Sequence, residues 1–154
     1  MISTHPNTAR YQEAIAQTHQ QAFGPEKGAE IVALVSALAS DETAKPILSL
    51  VAQRHNEPVG HILFSKVTIP GHSVEGRILA PLAVLPEHQG QGIGGALIHE
   101  GLAKLTRDGV GLVFVLGHTT YYPRFGFKPA APHGLMAPYP LPPEHQDGWM
   151  AQAL

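Results

Sequence analysis

The chain has 154 residues, 44% of them hydrophobic and 14% charged, with ten Lys and Arg against twelve Asp and Glu for a net charge of −2. At this length a core without disulfide staples is feasible, and one domain spanning 1–154 is expected. No Lys/Arg cluster offers a face for phosphate backbones, which argues against nucleic acid as a partner, and the lack of cysteine excludes disulfides, thiolate metal ligands and an acyl-cysteine intermediate.

The N-terminal stretch Met1 to Gln12 is polar and lacks the apolar centre of a signal peptide. Tyr11, Ala14, Ile15, Thr18 and Ala22 then recur at helical spacing, predicting an amphipathic helix over 9–22 that stops at Gly24-Pro25. A second helix carries Ile31, Leu34, Val35 and Leu38 at i, i+3, i+4, i+7 and ends at Ser40-Asp41-Glu42. The period then changes. Residues 47–53 and 59–69 are strand-like, joined by a hairpin connection at Arg54–Pro58, and a third apolar run covers 78–85. Beyond a glycine-rich turn, a helix is expected over 93–106, with Ile93, Leu97, Ile98, Leu102 and Leu105 inward.

Leu112–Leu116 reads as a short buried strand, Tyr121–Arg124 as one helical turn, and Phe125-Gly126-Phe127 as the start of an extended piece. The proline-dense segment 129–143 is expected as an ordered loop over one edge, with 148–154 as a last strand. This order predicts an α/β (α+β) fold. No apolar run approaches the ~20 residues of a spanning helix, so a soluble, cytoplasmic protein with no membrane partner is expected. The ten histidines show no His-x-His or His-Glu-x-x-His, so no metal site is expected and most should be solvated or singly satisfied.

The turn Gln89-Gly90-Gln91-Gly92-Ile93-Gly94-Gly95 is the most informative segment. The first amides of a helix lack internal partners and carry partial positive charge, while glycines let the backbone approach an anion closely. A pyrophosphate held by main chain is the predicted ligand. A nucleotide P-loop needs Gly-Lys-Ser/Thr after the last glycine, but Gly95 is followed by Ala96-Leu97. Gly90-x-Gly92-x-x-Gly95 matches the dinucleotide fingerprint. However, the following strand ends in Gly117-His118 without the required carboxylate, and too little chain remains for a doubly wound sheet.

The segment Leu82-Ala83-Val84-x-Pro86-x-x-Gln89-Gly90-Gln91-Gly92-Ile93-Gly94-x-Ala96-Leu97 resembles the signature of the GNAT superfamily of N-acetyltransferases, Gln/Arg-x-x-Gly-x-Gly/Ala. Tyr122-Pro123-Arg124-Phe125-Gly126-Phe127 resembles the family's Tyr-x-x-x-Gly-Phe element. The resemblance implies a single-domain fold with a mixed, mostly antiparallel sheet flanked by helices, and acetyl-CoA as cosubstrate. It implies that Leu82, Ala83 and Val84 hold the pantetheine arm. The backbone from Gly90 through Gln91, Gly92, Ile93 and Gly94 to Gly95 would cradle the pyrophosphate, with Gln89, Tyr122 and Arg124 also at the cofactor.

It implies further that a primary amine, on a small molecule or peptide, attacks the thioester directly. Tyr122 is the candidate general acid for the departing thiolate, because it matches the family's tyrosine in position and a phenol near pKa 10 carries its proton at neutral pH. Tyr121 ranks behind it. The amide of Val84 or Leu85 would polarise the carbonyl. No carboxylate stands on the signature strand or the next one, which leaves His118 as the candidate base. The loop at Phe23–Glu26 and the segment 129–143 would select the acceptor, with Glu26 and Glu30 placed to attract a cationic amine. The missing base keeps a second reading open, a non-catalytic module that senses acetyl-CoA, and self-pairing into a homodimer is also left open.

Overall fold

The computed structural model describes residues 2–154; Met1 lies outside the described residues. Seven strands form one mixed sheet in the order β1-β2-β3-β4-β5-β7-β6. They are β1 (Ile2–Pro6), β2 (Leu48–Arg54), β3 (Glu57–Val67), β4 (Gly76–Val84), β5 (Leu112–Leu116), β6 (Lys128–Pro129) and β7 (Trp149–Ala153). All pairings are antiparallel except β4 with β5. Three helices complete the fold, α1 (Gln12–Phe23), α2 (Pro25–Ser40) and α3 (Ile93–Arg107).

The α3 helix presents Ile93, Leu97, Ile98, Leu102 and Leu105 to the sheet, as its periodicity predicts, and all five are buried with Leu50, Ile62, Phe64, Val113 and Val115. The helix lies close on the strands because Gly101 has no side chain: a Cβ there would stand 2.3 Å from the Phe64 ring. The β2–β3 hairpin turns through His55 and Asn56 at φ 52° and 63°, the left-handed pair that matches strand twist. On the other face of β5 from Val113 and Val115, Phe114 and Trp149 stack 5.1 Å apart beneath the proline-dense segment. That segment contributes Lys128–Pro129 to the sheet edge and then runs as loops and short 3-10 turns, as its composition predicts.

One expectation is corrected. The polar start of the chain holds β1, paired from Ile2↔Arg54 to Pro6↔Leu50, where a helix was the first element expected. An edge strand needs one ladder of main-chain bonds rather than an apolar run, so Ile-Ser-Thr-His-Pro qualifies. The α2 helix is as amphipathic as its spacing indicates, but Gly28 is its only buried residue. Gly28 packs directly on Gln20 of α1, where a Cβ would be 2.8 Å from the Gln20 backbone. Ile31, Val35 and Leu38 are half-buried and Leu34 is 39% exposed, so the apolar stripe is not a core stripe.

Candidate active site

The sheet splits where the motifs meet. β4 and β5 pair only at Gly76↔Leu112, Arg77↔Val113 and Ile78↔Phe114, so from Leu79 to Val84 the β5 side of β4 carries no strand. On the other side, the Leu85 amide donates to Val59 O at 2.8 Å, which fixes the alternation along the β3–β4 ladder. The peptide groups of Leu82 and Val84 therefore turn to the open side, while Ala83 faces β3. Of the two amides expected to polarise the carbonyl, that of Leu85 is already bonded within the sheet, while that of Val84 turns to the open side. The Gln89 side chain reaches back to donate to Val84 O at 3.0 Å and ties the glycine turn to the strand end.

The turn has the geometry an anion site needs. Gly90 and Gly92 have φ of 74° and 84°, left-handed values that a side chain would strain. Gly92 is the N-cap of α3, and the first closing bond is Ala96 N to Gly92 O at 3.0 Å. Among the described residues, the amides from Gly90 to Gly95 donate to no acceptor in the chain. Six unbonded amides thus lie at the mouth of a 15-residue helix, a geometry suited to an anion. Gln91 leans outward instead, its side chain bonded to Arg54 of the β2–β3 hairpin.

The open strand edge and the turn line one cavity of about 1130 Å³. Its walls include Leu82, Ala83, Val84, Gln89, Gly90, Gly92, Ile93, Gly94 and Gly95, together with His118, Tyr122 and Arg124. The sequence motifs, 33 residues apart, thus converge on a single space. Gln91 is the one residue of the expected cofactor set that does not line it. The cavity has further walls that local patterns could not announce: Lys27, Ile31 and Leu34 from α2, Leu116 from β5, and His88 and His99 beside the turn. Among the described residues, His88 Nδ1 is buried with no hydrogen-bond partner.

The two tyrosines divide the space. The Tyr122 ring packs edge-on against Phe127 and lies over Gly117 at the end of β5, where a Cβ would be 2.3 Å from the ring. Burial, and then the neighbouring Tyr121, push its phenol well above the ordinary value of 10. Tyr122 is therefore a neutral phenol at physiological pH, and the same burial makes it a weaker proton donor than a solvated tyrosine. The Tyr121 hydroxyl sits over the first turn of α3, 2.5 Å from where a Gly94 Cβ would be, with the Arg124 guanidinium 4.8 Å from its ring. His118 is exposed at the rim, and its carbonyl anchors the turn by accepting from the Tyr121 and Tyr122 amides. Glu26 and Glu30, expected to draw in a cationic amine, are exposed and do not line the cavity.

On the sheet face opposite α3 lies a polar chain that sequence spacing could not predict. His19 Nε2 is 2.8 Å from His61 Nδ1, and His61 Nε2 is 2.7 Å from Ser49 Oγ. Both histidines are fully buried, exceptions to the expectation that most of the ten are solvated or singly satisfied. Burial lowers His19 to about 4; burial and then the charge of His19 lower His61 to about 3. Both are neutral in the folded state above pH 5, whereas the unfolded chain takes up protons near 6.5. Stability is thus complete above about pH 6.5 and declines as the pH falls toward 4. The His19 shift alone corresponds to roughly 3 kcal/mol at its full extent. Denaturant unfolding at pH 7.5 and 4.5 should show a loss of this order, flattened when His19→Leu and His61→Leu are combined.

Among the described residues, no three His, Asp or Glu side chains converge as a metal site, and no helix is long and apolar enough to cross a membrane. Residues 46–129 match the model of the acetyltransferase (GNAT) domain. The uncharacterised N-acetyltransferase YjhQ of Escherichia coli K12 is 50% identical over 91% of this chain and 77% of its own. Among solved structures, the GNAT family N-acetyltransferase YhbS from E. coli, in complex with CoA, superposes with a TM-score of 0.87. It is 29% identical over 99% of this chain and 81% of that one. A GNAT family acetyltransferase from Brucella melitensis, in complex with acetyl-CoA, gives a TM-score of 0.75 at 37% identity over 83% of each chain.

Proposed function

The chain belongs to the GNAT acetyltransferase family, and on that footing we propose that it transfers an acetyl group from acetyl-CoA to a primary amine by direct attack. The observation that carries this reading is the continuity of three elements in one cavity: the unbonded amides of residues 90–95, the open edge of β4, and Tyr122. A diphosphate at the turn places a pantetheine arm along Leu82 and Val84, whose outward peptide groups can pair with its amides as a strand would. The thioester then lies between β4 and Tyr122.

Acetyl-CoA supplies the activated acyl group, and the protein supplies positioning and protons. The Val84 amide is placed to polarise the carbonyl. The carbon–nitrogen bond forms as the carbon–sulfur bond breaks, one amine proton passes to solvent water or to His118, and the thiolate takes the Tyr122 proton. No cysteine is required, and the sequence has none.

A second reading, a sensor that binds acetyl-CoA without turnover, is favoured by one observation: no carboxylate lines the cavity to act as a base. Calorimetry with acetyl-CoA and thiol release with a panel of amines separate the two. Transfer predicts binding together with amine-dependent release of free CoA. Binding without release for any amine leaves the sensor.

A further inference from the structure

The acceptor end of the cavity has a definite chemical character. Phe23 at the end of α1 and Ile31 and Leu34 of α2 are apolar lining residues, with Lys27 on the same stretch of helix, and Leu116 and His118 line the same cavity. No Asp or Glu is among the lining residues. The apolar side of α2 is only partly covered within the chain: Gly28 alone is buried, Ile31, Val35 and Leu38 are half-buried and Leu34 is 39% exposed. Apolar surface arranged around a concave site is covered by the apolar part of a ligand.

Lys27 is held only loosely. Its nearest carboxylate is Glu30 at 3.9 Å, one turn away, with side chains 63% and 73% exposed. A solvated pair of this kind contributes little and leaves the ammonium free to take another anion. A polycation entering here meets Lys27, offset only by the solvated carboxylate of Glu30 outside the cavity lining. An amine that also carries a carboxylate meets a partner. The cation has a second effect: a positive charge beside the incoming ammonium disfavours its protonated form. That helps produce the neutral nucleophile in a cavity without a carboxylate base.

We propose that the acceptor is a small apolar amino acid: a primary amine with an apolar side chain seated against Phe23, Ile31 and Leu34 and a free carboxylate paired with Lys27. This assignment rests on the transferase reading above. The test measures thiol release under saturating acetyl-CoA with leucine and phenylalanine, with their decarboxylated partners isopentylamine and 2-phenylethylamine, and with spermidine.

The expected result is kcat/KM at least tenfold higher for phenylalanine than for 2-phenylethylamine, with spermidine the poorest. Lys27→Glu should lower phenylalanine turnover about tenfold and raise that of spermidine, with the KM for acetyl-CoA unchanged; Lys27→Arg should keep the original preference. The assignment is overturned if the decarboxylated amines match the amino acids, if spermidine is best, or if Lys27→Glu leaves the ranking unchanged. Binding of acetyl-CoA with no release from any amine would instead remove the transferase reading, and the acceptor assignment with it.

Discussion

Gly92→Glu is expected to reduce CoA affinity at least 100-fold while the protein stays folded. Two physical effects act together. Gly92 sits at φ 84°, where an L side chain costs roughly 1–2 kcal/mol of backbone strain. More importantly, the new carboxylate would stand at the N-cap of α3, beside the amides that await a diphosphate. Coulomb repulsion between like charges a few ångströms apart reverses what the helix dipole and the bare amides provide. There is room for the side chain, since nothing lies within 4 Å of a Cβ at this position, so the effect is electrostatic rather than a collision. Gly92→Ala isolates the backbone component and should cost about tenfold or less. Calorimetric titration with CoA checks both, with circular dichroism to verify the fold. A Gly92→Glu protein that binds CoA within threefold of the parent would mean the diphosphate is held elsewhere.

That prediction could be written from the sequence because the turn is a local object. Glycines, the helix they open and the missing Lys-Ser/Thr all lie within ten residues, and they dictate backbone geometry without help from the rest of the chain. The β2–β3 hairpin and the inward face of α3 were legible for the same reason. The opening between β4 and β5 was not. Leu112–Leu116 reads as a buried strand whether or not it stays parallel to its neighbour, and the divergence beyond Ile78↔Phe114 is a property of the whole sheet.

The α2 stripe shows a different limit. Periodicity at Ile31, Leu34, Val35 and Leu38 reports a face that needs covering, not what covers it, and here part of it forms a cavity wall. His19 and His61 are 42 residues apart, on α1 and β3, so no spacing rule could bring them together. Nor could charge placement on α2 be read correctly from composition. Glu26 and Glu30 looked like the acceptor's partners, but helical geometry turns Lys27 into the cavity and the two carboxylates to solvent.

Tyr122→Phe should lower kcat about 100-fold with the KM for acetyl-CoA nearly unchanged, whereas Tyr121→Phe should act mainly on cofactor affinity. The split follows from where each hydroxyl lies. Tyr122 covers Gly117 at the end of β5, beside the open stretch of β4 where the thioester would come to rest. Its ring is held by Phe127, and phenylalanine keeps that packing, so the substitution removes a proton donor and little else. A phenol is protonated at neutral pH, so each turnover begins with the acid loaded, and loss of a positioned acid typically costs 10²–10⁴ in rate. The Tyr121 hydroxyl stands over Gly94 in the phosphate cradle, with Arg124 against its ring. Removing it alters the surroundings of the diphosphate rather than those of the sulfur. Steady-state rates with acetyl-CoA as the varied substrate decide the matter. A Tyr122→Phe enzyme at full speed would pass the role of acid to solvent. If Tyr121→Phe loses kcat instead, the two adjacent rings must exchange places when the cosubstrate binds.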